Sequence, residues 1–193
     1  PLSQMPEMLK KAFIVAEDAR FYKHKGIDLL SIVRAFFKNI EAGAIVQGGS
    51  TITQQVTKSF FLTPERSYSR KIKEAILAYR IDKKFAKNEI LFLYLNQIYL
   101  GHGAYGVEIA ARTYFAKSAK DLNLAEAALL AGLPQAPSRY SPVSHIDRAK
   151  ERQRYVLRRM REEGYITPEQ FHEAREFPLD IKSGTENPFE KAP

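Results

Sequence analysis

The 193-residue chain contains no cysteine. That excludes a disulfide framework and thiolate chemistry, and it leaves the redox compartment open. Its four histidines fall into no H-x-x-H or H-E-x-x-H pattern, so their spacing gives no support to a structural zinc site. No apolar run approaches the roughly 20 residues that a membrane-spanning helix needs. The chain opens on Pro1 with neither an initiator methionine nor a visible signal peptide, which reads as an excised piece of something longer, any anchor lying outside it. Acidic residues are also in deficit, Asp+Glu 22 against Lys+Arg 30, giving a net charge of +8 and a pI near 9.6. This balance suits an anionic partner: nucleic acid, anionic lipid headgroups or a phosphorylated substrate. What is present, 45% hydrophobic and 27% charged residues, is the make-up of a globular domain with a real core.

Helical periodicity dominates, without repeats or low-complexity tracts, and predicts a mainly α fold with at most a short β-hairpin. Leu9, Phe13, Glu17 and Phe21 recur every four residues and predict a first helix from about Pro6 to Phe21. Leu29 to Ala42 reads as a second helix ended by Gly43, and Ser50 or Thr51 as the cap of a third. Thr63 to Ser69 reads as a flexible connection. A long amphipathic stretch from Arg70 to Leu100 follows, with a break near Phe85 to Asn88. Val107 to Lys117 and Leu124 to Ala131 fit short helices, the latter stopped by Gly132 and Pro134. Three prolines make residues 134 to 142 irregular. A basic helix spans about Ile146 to Glu163, and Thr167-Pro168-Glu169-Gln170 is a capping box with proline at the first helical position.

Several stretches carry candidate chemistry. In "EDARFYKHKG", residues 17 to 26, the four-residue row sets Glu17 between Phe13 and Phe21, where partial desolvation would raise its pKa toward that of a general base. Read from its neighbours alone, the commoner role is an ion pair with Arg20 or Lys23, and His24 is more often structural than catalytic. "GGSTITQQ", residues 48 to 55, joins a glycine pair to a hydroxyl-rich helix start, which offers free N–H groups to an anion such as phosphate. Gln54, Gln55 and Lys58 follow on the next turn. In "RKIKE", residues 70 to 74, Lys71 and Glu74 share a helix face near Arg66 and Arg70. The stretch suits either an exposed salt bridge or a cationic phosphate site. "GHGAYG", residues 101 to 106, matches G-x-G-x-x-G but follows an apparent helix carrying Asn96, so a dinucleotide site is rejected. "RAKERQRYVLRRMREEG", residues 148 to 164, is an amphipathic basic helix with seven arginines or lysines. Phe36-Phe37, Ile45-Val46 and Phe60-Phe61-Leu62 flank the glycine pair and would enter a lipid interface if exposed.

Taken together, these stretches resemble the peptidoglycan glycosyltransferase family, family 51 among glycosyltransferases. The resemblance rests on five ordered motifs: "EDARFYKHKG", "GGSTITQQ", "RKIKE", "KNEILFLYLN" at 87 to 96 and "RQRYVL" at 152 to 157. It implies a lysozyme-like large helical lobe over residues 1 to 177, with a smaller membrane-proximal lobe near 29 to 66 inserted in it, and a tail or linker at 178 to 193. It also implies an extracytoplasmic enzyme at the outer leaflet of the bacterial cytoplasmic membrane, joined in the full-length protein to a transpeptidase domain. Its substrates would be lipid II and the growing glycan strand, with no nucleic acid. By position, Glu17 matches the family's catalytic base and Glu74 its second functional glutamate. Ser50, Thr51, Gln54, Gln55, Lys58, Arg66, Arg70 and Lys71 would line the pyrophosphate and sugar sites, with Asp18, His24, Asn96 and Arg152 as supporting residues. No cofactor is required with certainty, although Glu74 beside a phosphate leaves room for a magnesium or manganese ion.

Two other classes remain open on the residues alone. A lytic transglycosylase or lysozyme-like hydrolase also sets a glutamate on a helix, but its glycan substrate has no pyrophosphate for the cations of "RKIKE" to neutralise. A basic helical nucleic-acid-binding domain would bind with a steep salt dependence and be indifferent to Glu17.

Overall fold

The structure, a computed structural model, describes residues 2–43, 48–61 and 67–182, with Phe61 and Tyr68 described by backbone alone. The expectations placed on Gln47, on Ile45-Val46, on Leu62, on Arg66 and on most of the terminal tail lie outside the described residues. The fold is mainly α. Its helices are α1 (Glu7–Glu17), α2 (Leu29–Glu41), α3 (Ile52–Phe61), α4 (Tyr68–Lys84), α5 (Lys87–Gln97), α6 (Val107–Phe115), α7 (Leu124–Gly132), α8 (Ile146–Glu162) and α9 (Pro168–Glu176). Among the described residues, strand-like pairing is confined to one isolated antiparallel bridge between Tyr99 and Tyr105. Two compact units are present: Pro1–Ala16 with Leu95–Pro193, and Glu17–Tyr94.

In the first unit, α7 packs against α6, α8 and α9. Alanine and leucine cover every side of α7 from Ala125 to Gly132, and each of those residues is buried. Leu129, Leu130, Val156, Leu157 and Met160 are fully enclosed. Such an all-round apolar helix is stable only inside a core. Asn123 and Glu126 close a reciprocal capping box at its start, and the Gln153 amide donates to the carbonyl of Ala125 at 2.8 Å. α7 ends on Gly132, one residue past the sequence reading. A Cβ there would lie 2.8 Å from Cγ of Arg152, so this glycine also admits the neighbouring helix α8. The capping box at Thr167 forms as the sequence indicates. The segment Gly101 to Gly106 is a loop after α5, with positive φ at Gly101, His102, Gly103 and Gly106. At the far end, the Lys182 N–H donates to the Tyr114 carbonyl at 2.9 Å.

The second unit is built on α3 packed against α4. Phe21, Ile52, Val56, Ala78, Ile90 and Leu91 form its apolar interior. Two boundaries differ from the sequence reading. α1 ends at Glu17, and Phe21 belongs to a separate 3-10 turn, Phe21–Lys23. α4 starts at Tyr68, with the Ser67 side chain accepting the Arg70 N–H, so Ser67 to Ser69 form a helix start and not a connection. The break expected near Phe85 falls between α4 and α5. α2 is the exception to the packing. Asp28 caps it and Ala42 closes it, yet Ala35 is its single buried residue while Leu29, Leu30, Ile32, Val33, Phe36, Phe37 and Ile40 stand exposed.

Candidate active site

The site grows from the end of α1. Asp18 leaves the helix because its carboxylate has partners elsewhere: the Ile52 N–H donates to Oδ2 at 3.0 Å, and His24 Nε2 lies 3.0 and 2.9 Å from the two oxygens. All three groups are enclosed, and within the described structure His24 Nδ1 is buried with no hydrogen-bond partner. Glu17 therefore sits on the last turn of α1, half-buried. The expected placement between Phe13 and Phe21 on one helical row does not form, because the chain turns at Asp18. Arg20, one of the proposed ion partners of Glu17, is instead 3.0 Å from Asp28. Burial pushes the Asp28 carboxyl up, but the Ser31 hydroxyl and N–H, Arg20 and His24 together outweigh it and hold the group below its ordinary range.

α3 presents its first turns to this corner. Thr51 and Gln54 cap each other: the Gln54 N–H donates to Thr51 Oγ1 at 3.1 Å, and the Thr51 N–H to Gln54 Oε1 at 3.0 Å. The Thr51 hydroxyl also donates to the carbonyl of Gly26 at 2.6 Å. Gly26 has φ +82°, and a Cβ on it would fall 2.5 Å from the carbonyl oxygen of Ala78. This is a backbone contact on α4 that no side chain tolerates. Successive residues on a helix point about 100° apart, so Gln54 and Gln55 reach different partners. Gln55 Nε2 donates to Glu17 Oε2 at 2.7 Å. Gln54 Nε2 donates to Glu74 Oε1 at 3.2 Å.

Glu74 is enclosed on α4. Lys71 Nζ pairs with its Oε1 and also donates to the Ser50 hydroxyl at 3.0 Å, while Arg70 Nη1 lies 3.5 Å from Oε2. The Lys71 side chain is about half exposed, so its ammonium can meet a ligand while Glu74 holds it. Lys58 is exposed on α3, and Arg66 lies outside the described residues. Among the described residues, no group of three or more His, Cys, Asp or Glu is placed to hold a metal ion. Glu74 brings one carboxylate among cations and an amide, a donor set that fits charge pairing better than a divalent cage. Asn96 and Arg152 belong to the first unit. There the Asn96 backbone lies against Gly106, whose Cβ would come within 2.6 Å of the Asn96 carbonyl oxygen, and the Arg152 guanidinium stacks 4.2 Å from the Tyr155 ring centroid.

Sequence reasoning missed two contributors. Tyr94 is buried, and burial, then the charges of Glu17 and Asp18, push its phenol well above the ordinary range. It therefore stays neutral beside the carboxylates. It lies inside the motif "KNEILFLYLN" and four residues after Ile90, but neither signal distinguishes it from its apolar neighbours. Asp82 is the second: it accepts from Lys87 at 2.6 Å and from the Thr53 hydroxyl at 3.3 Å, stapling α3, α4 and α5 under the site.

Comparison with known proteins agrees with these motifs. A family model described as "Transglycosylase" matches residues 1–161. The chain is 57% identical over 181 residues to penicillin-binding protein 1A of Aquifex aeolicus, covering 94% of this chain and 25% of that protein. It is 51% identical over 186 residues to penicillin-binding protein 1A of Neisseria flavescens, covering 96% and 23%. A crystal structure of penicillin-binding protein 1A from Haemophilus influenzae aligns over 68% of this chain and 16% of that one, at 36% identity and TM-score 0.48. The chain thus spans about a quarter of the length of the curated relatives it matches. The family model covers most of the chain, and the chain belongs to the transglycosylase family of peptidoglycan glycosyltransferases.

Proposed function

We propose that this domain polymerises lipid II, the undecaprenyl-pyrophosphate-linked disaccharide-peptide, into β-1,4-linked glycan strands and releases undecaprenyl pyrophosphate. Glu17 takes the proton from the 4-hydroxyl of the acceptor sugar. The oxygen attacks C1 of the donor, the bond to pyrophosphate breaks with its electron pair, and the configuration at C1 inverts. Hydrolysis of a sugar–sugar bond needs an acid to protonate an alkoxide, whereas pyrophosphate leaves as a stabilised anion and needs positive charge instead. Lys71 and Arg70, gathered on Glu74, supply that charge where it develops, with Arg66, Lys58 and Ser50 as further phosphate or sugar contacts. Asn96 and Arg152 stay assigned, through the family motifs, to supporting roles. One observation carries the reading: Gln54 and Gln55, adjacent on α3, tie the cation-bearing Glu74 and the base Glu17 to the same helix end. A nucleic-acid-binding domain has no use for a carboxylate held there.

The lipid substrate and the setting also belong to this proposal. No helix among the described residues is long and apolar enough to cross a membrane. The exposed side chains of α2, with Arg34 and Lys38 among them and Phe60 on α3, suit an interface with a bilayer whose headgroups are anionic. We place residues 29 to 66 as the membrane-proximal part of a domain that ends near 177, the rest of the full-length protein carrying an anchor and a transpeptidase.

The test supplies labelled lipid II in detergent and measures glycan polymer. Glu17→Gln is expected to lower turnover at least 100-fold, the lower end of a general base's contribution, while helical circular dichroism is unchanged. Near wild-type polymerisation by that variant overturns the base assignment.

A further inference from the structure

The family motifs place Gln55 among the residues that bind substrate. Its geometry gives it a different task. The Gln55 amide donates to Glu17 at 2.7 Å, among the shorter hydrogen bonds of the second unit, and the helix that carries it is fixed at its start by contacts that do not involve substrate. The Ile52 N–H is held by Asp18, Thr51 and Gln54 cap each other, and the Thr51 hydroxyl is anchored on Gly26. Gln55 lies one turn beyond Ile52, so the adjacent carboxylates Asp18 and Glu17 grip α3 at two successive turns. One grips the backbone and the other a side chain. A residue locked in this way cannot swing to a sugar without releasing the carboxylate.

We infer that Gln55 is a positioning residue for Glu17: its amide fixes the direction of the carboxylate and favours the ionised form that accepts a proton. The inference rests on the reading of Glu17 as the base, and deepens it. A donor to a carboxylate lowers the free energy of the charged state, so its removal raises the carboxyl pKa. A base turned away from its proton loses rate without losing substrate affinity.

The variant of choice is Gln55→Met, similar in volume, a good helix former and without a donor. Polymerisation of lipid II by this variant should show kcat reduced about 10- to 100-fold with KM changed less than about threefold. The acid limb of its pH–rate profile should move upward by about half to one pH unit. A raised KM with unchanged kcat returns Gln55 to substrate binding and overturns the inference, as does an unaltered acid limb. A second measurement needs neither a variant nor activity. In the unmutated chain, carbon-13 NMR of the Glu17 carboxyl and the proton shifts of the Gln55 side-chain amide should titrate with one shared midpoint. Independent midpoints, or a flat Gln55 amide, overturn the inference even if Gln55→Met fails to fold. The two readings fail separately: active Glu17→Gln removes the base while the shared titration stands, and unlinked titration removes the positioning while the base stands.

Discussion

α7 and α2 are both rich in apolar residues, yet one is buried on every side and the other has a single buried residue. α2 also carries Arg34, Lys38 and Glu41 where α7 has the single charge of Glu126, but its leucines and phenylalanines differ from those of α7 in their surroundings. α7 is enclosed by α6, α8 and α9, so its leucines are held by packing. α2 displays its leucines and phenylalanines, and its helical state leans on its cap, because a short helix with little tertiary contact is marginal in water. Contiguous apolar surface of this kind suits contact with another apolar surface, of a protein or of a bilayer.

The same substitution made in both helices separates the two cases. Leu129→Ala in α7 is expected to cost about 2–5 kcal/mol of unfolding free energy, read from urea denaturation at constant m-value. Next in size is the α2 cap. Asp28→Ala should cost about 1 kcal/mol near neutral pH. Asp28 has its pKa held below the ordinary 3.8 in the folded chain, so its contribution is full above about pH 4 and is lost as pH falls through the folded value. The stability gap between wild type and variant should therefore close on acidification. A constant gap down to pH 2 would show that the carboxylate charge is irrelevant to the cap. Smallest of all is Leu30→Ala in α2, expected within about 0.5 kcal/mol of wild type while sedimentation with phosphatidylglycerol vesicles declines. A cost equal to that of Leu129→Ala would mean that α2 is packed in solution, and the comparison would collapse.

Legibility in the sequence followed the range of the interactions. Helix ends set by local chemistry were readable: the capping box at Thr167, the stop at Gly43, the hydroxyl cap at Thr51. So were the motif pairs that share one helix, such as Lys71 and Glu74. What could not be read was set by partners far along the chain. The periodicity carried α1 on to Phe21, but Asp18 is drawn to Ile52, 34 residues away, and the helix ends there. The second task of Gly132 is hidden as well, because nothing local reveals that the Arg152 side chain needs the space.

 The bond between Gln55 and Glu17 was equally hidden, since only the fold brings the two motifs together.

Gly26 has a consequence for how this site tolerates change. The chain segment that follows Glu17 and Asp18 passes α4 at a separation set by a hydrogen atom, with the Ala78 carbonyl where a methyl group would have to go. Substitutions at the exposed positions of the same motif, such as Lys23 and Lys25, leave that separation alone. Alanine at position 26 does not, because both the contact and the positive φ work against it. The glycine thus acts as a gauge within the second unit: it sets how closely its own segment approaches the helix that carries Arg70, Lys71 and Glu74, and it leaves polar contacts to its neighbours.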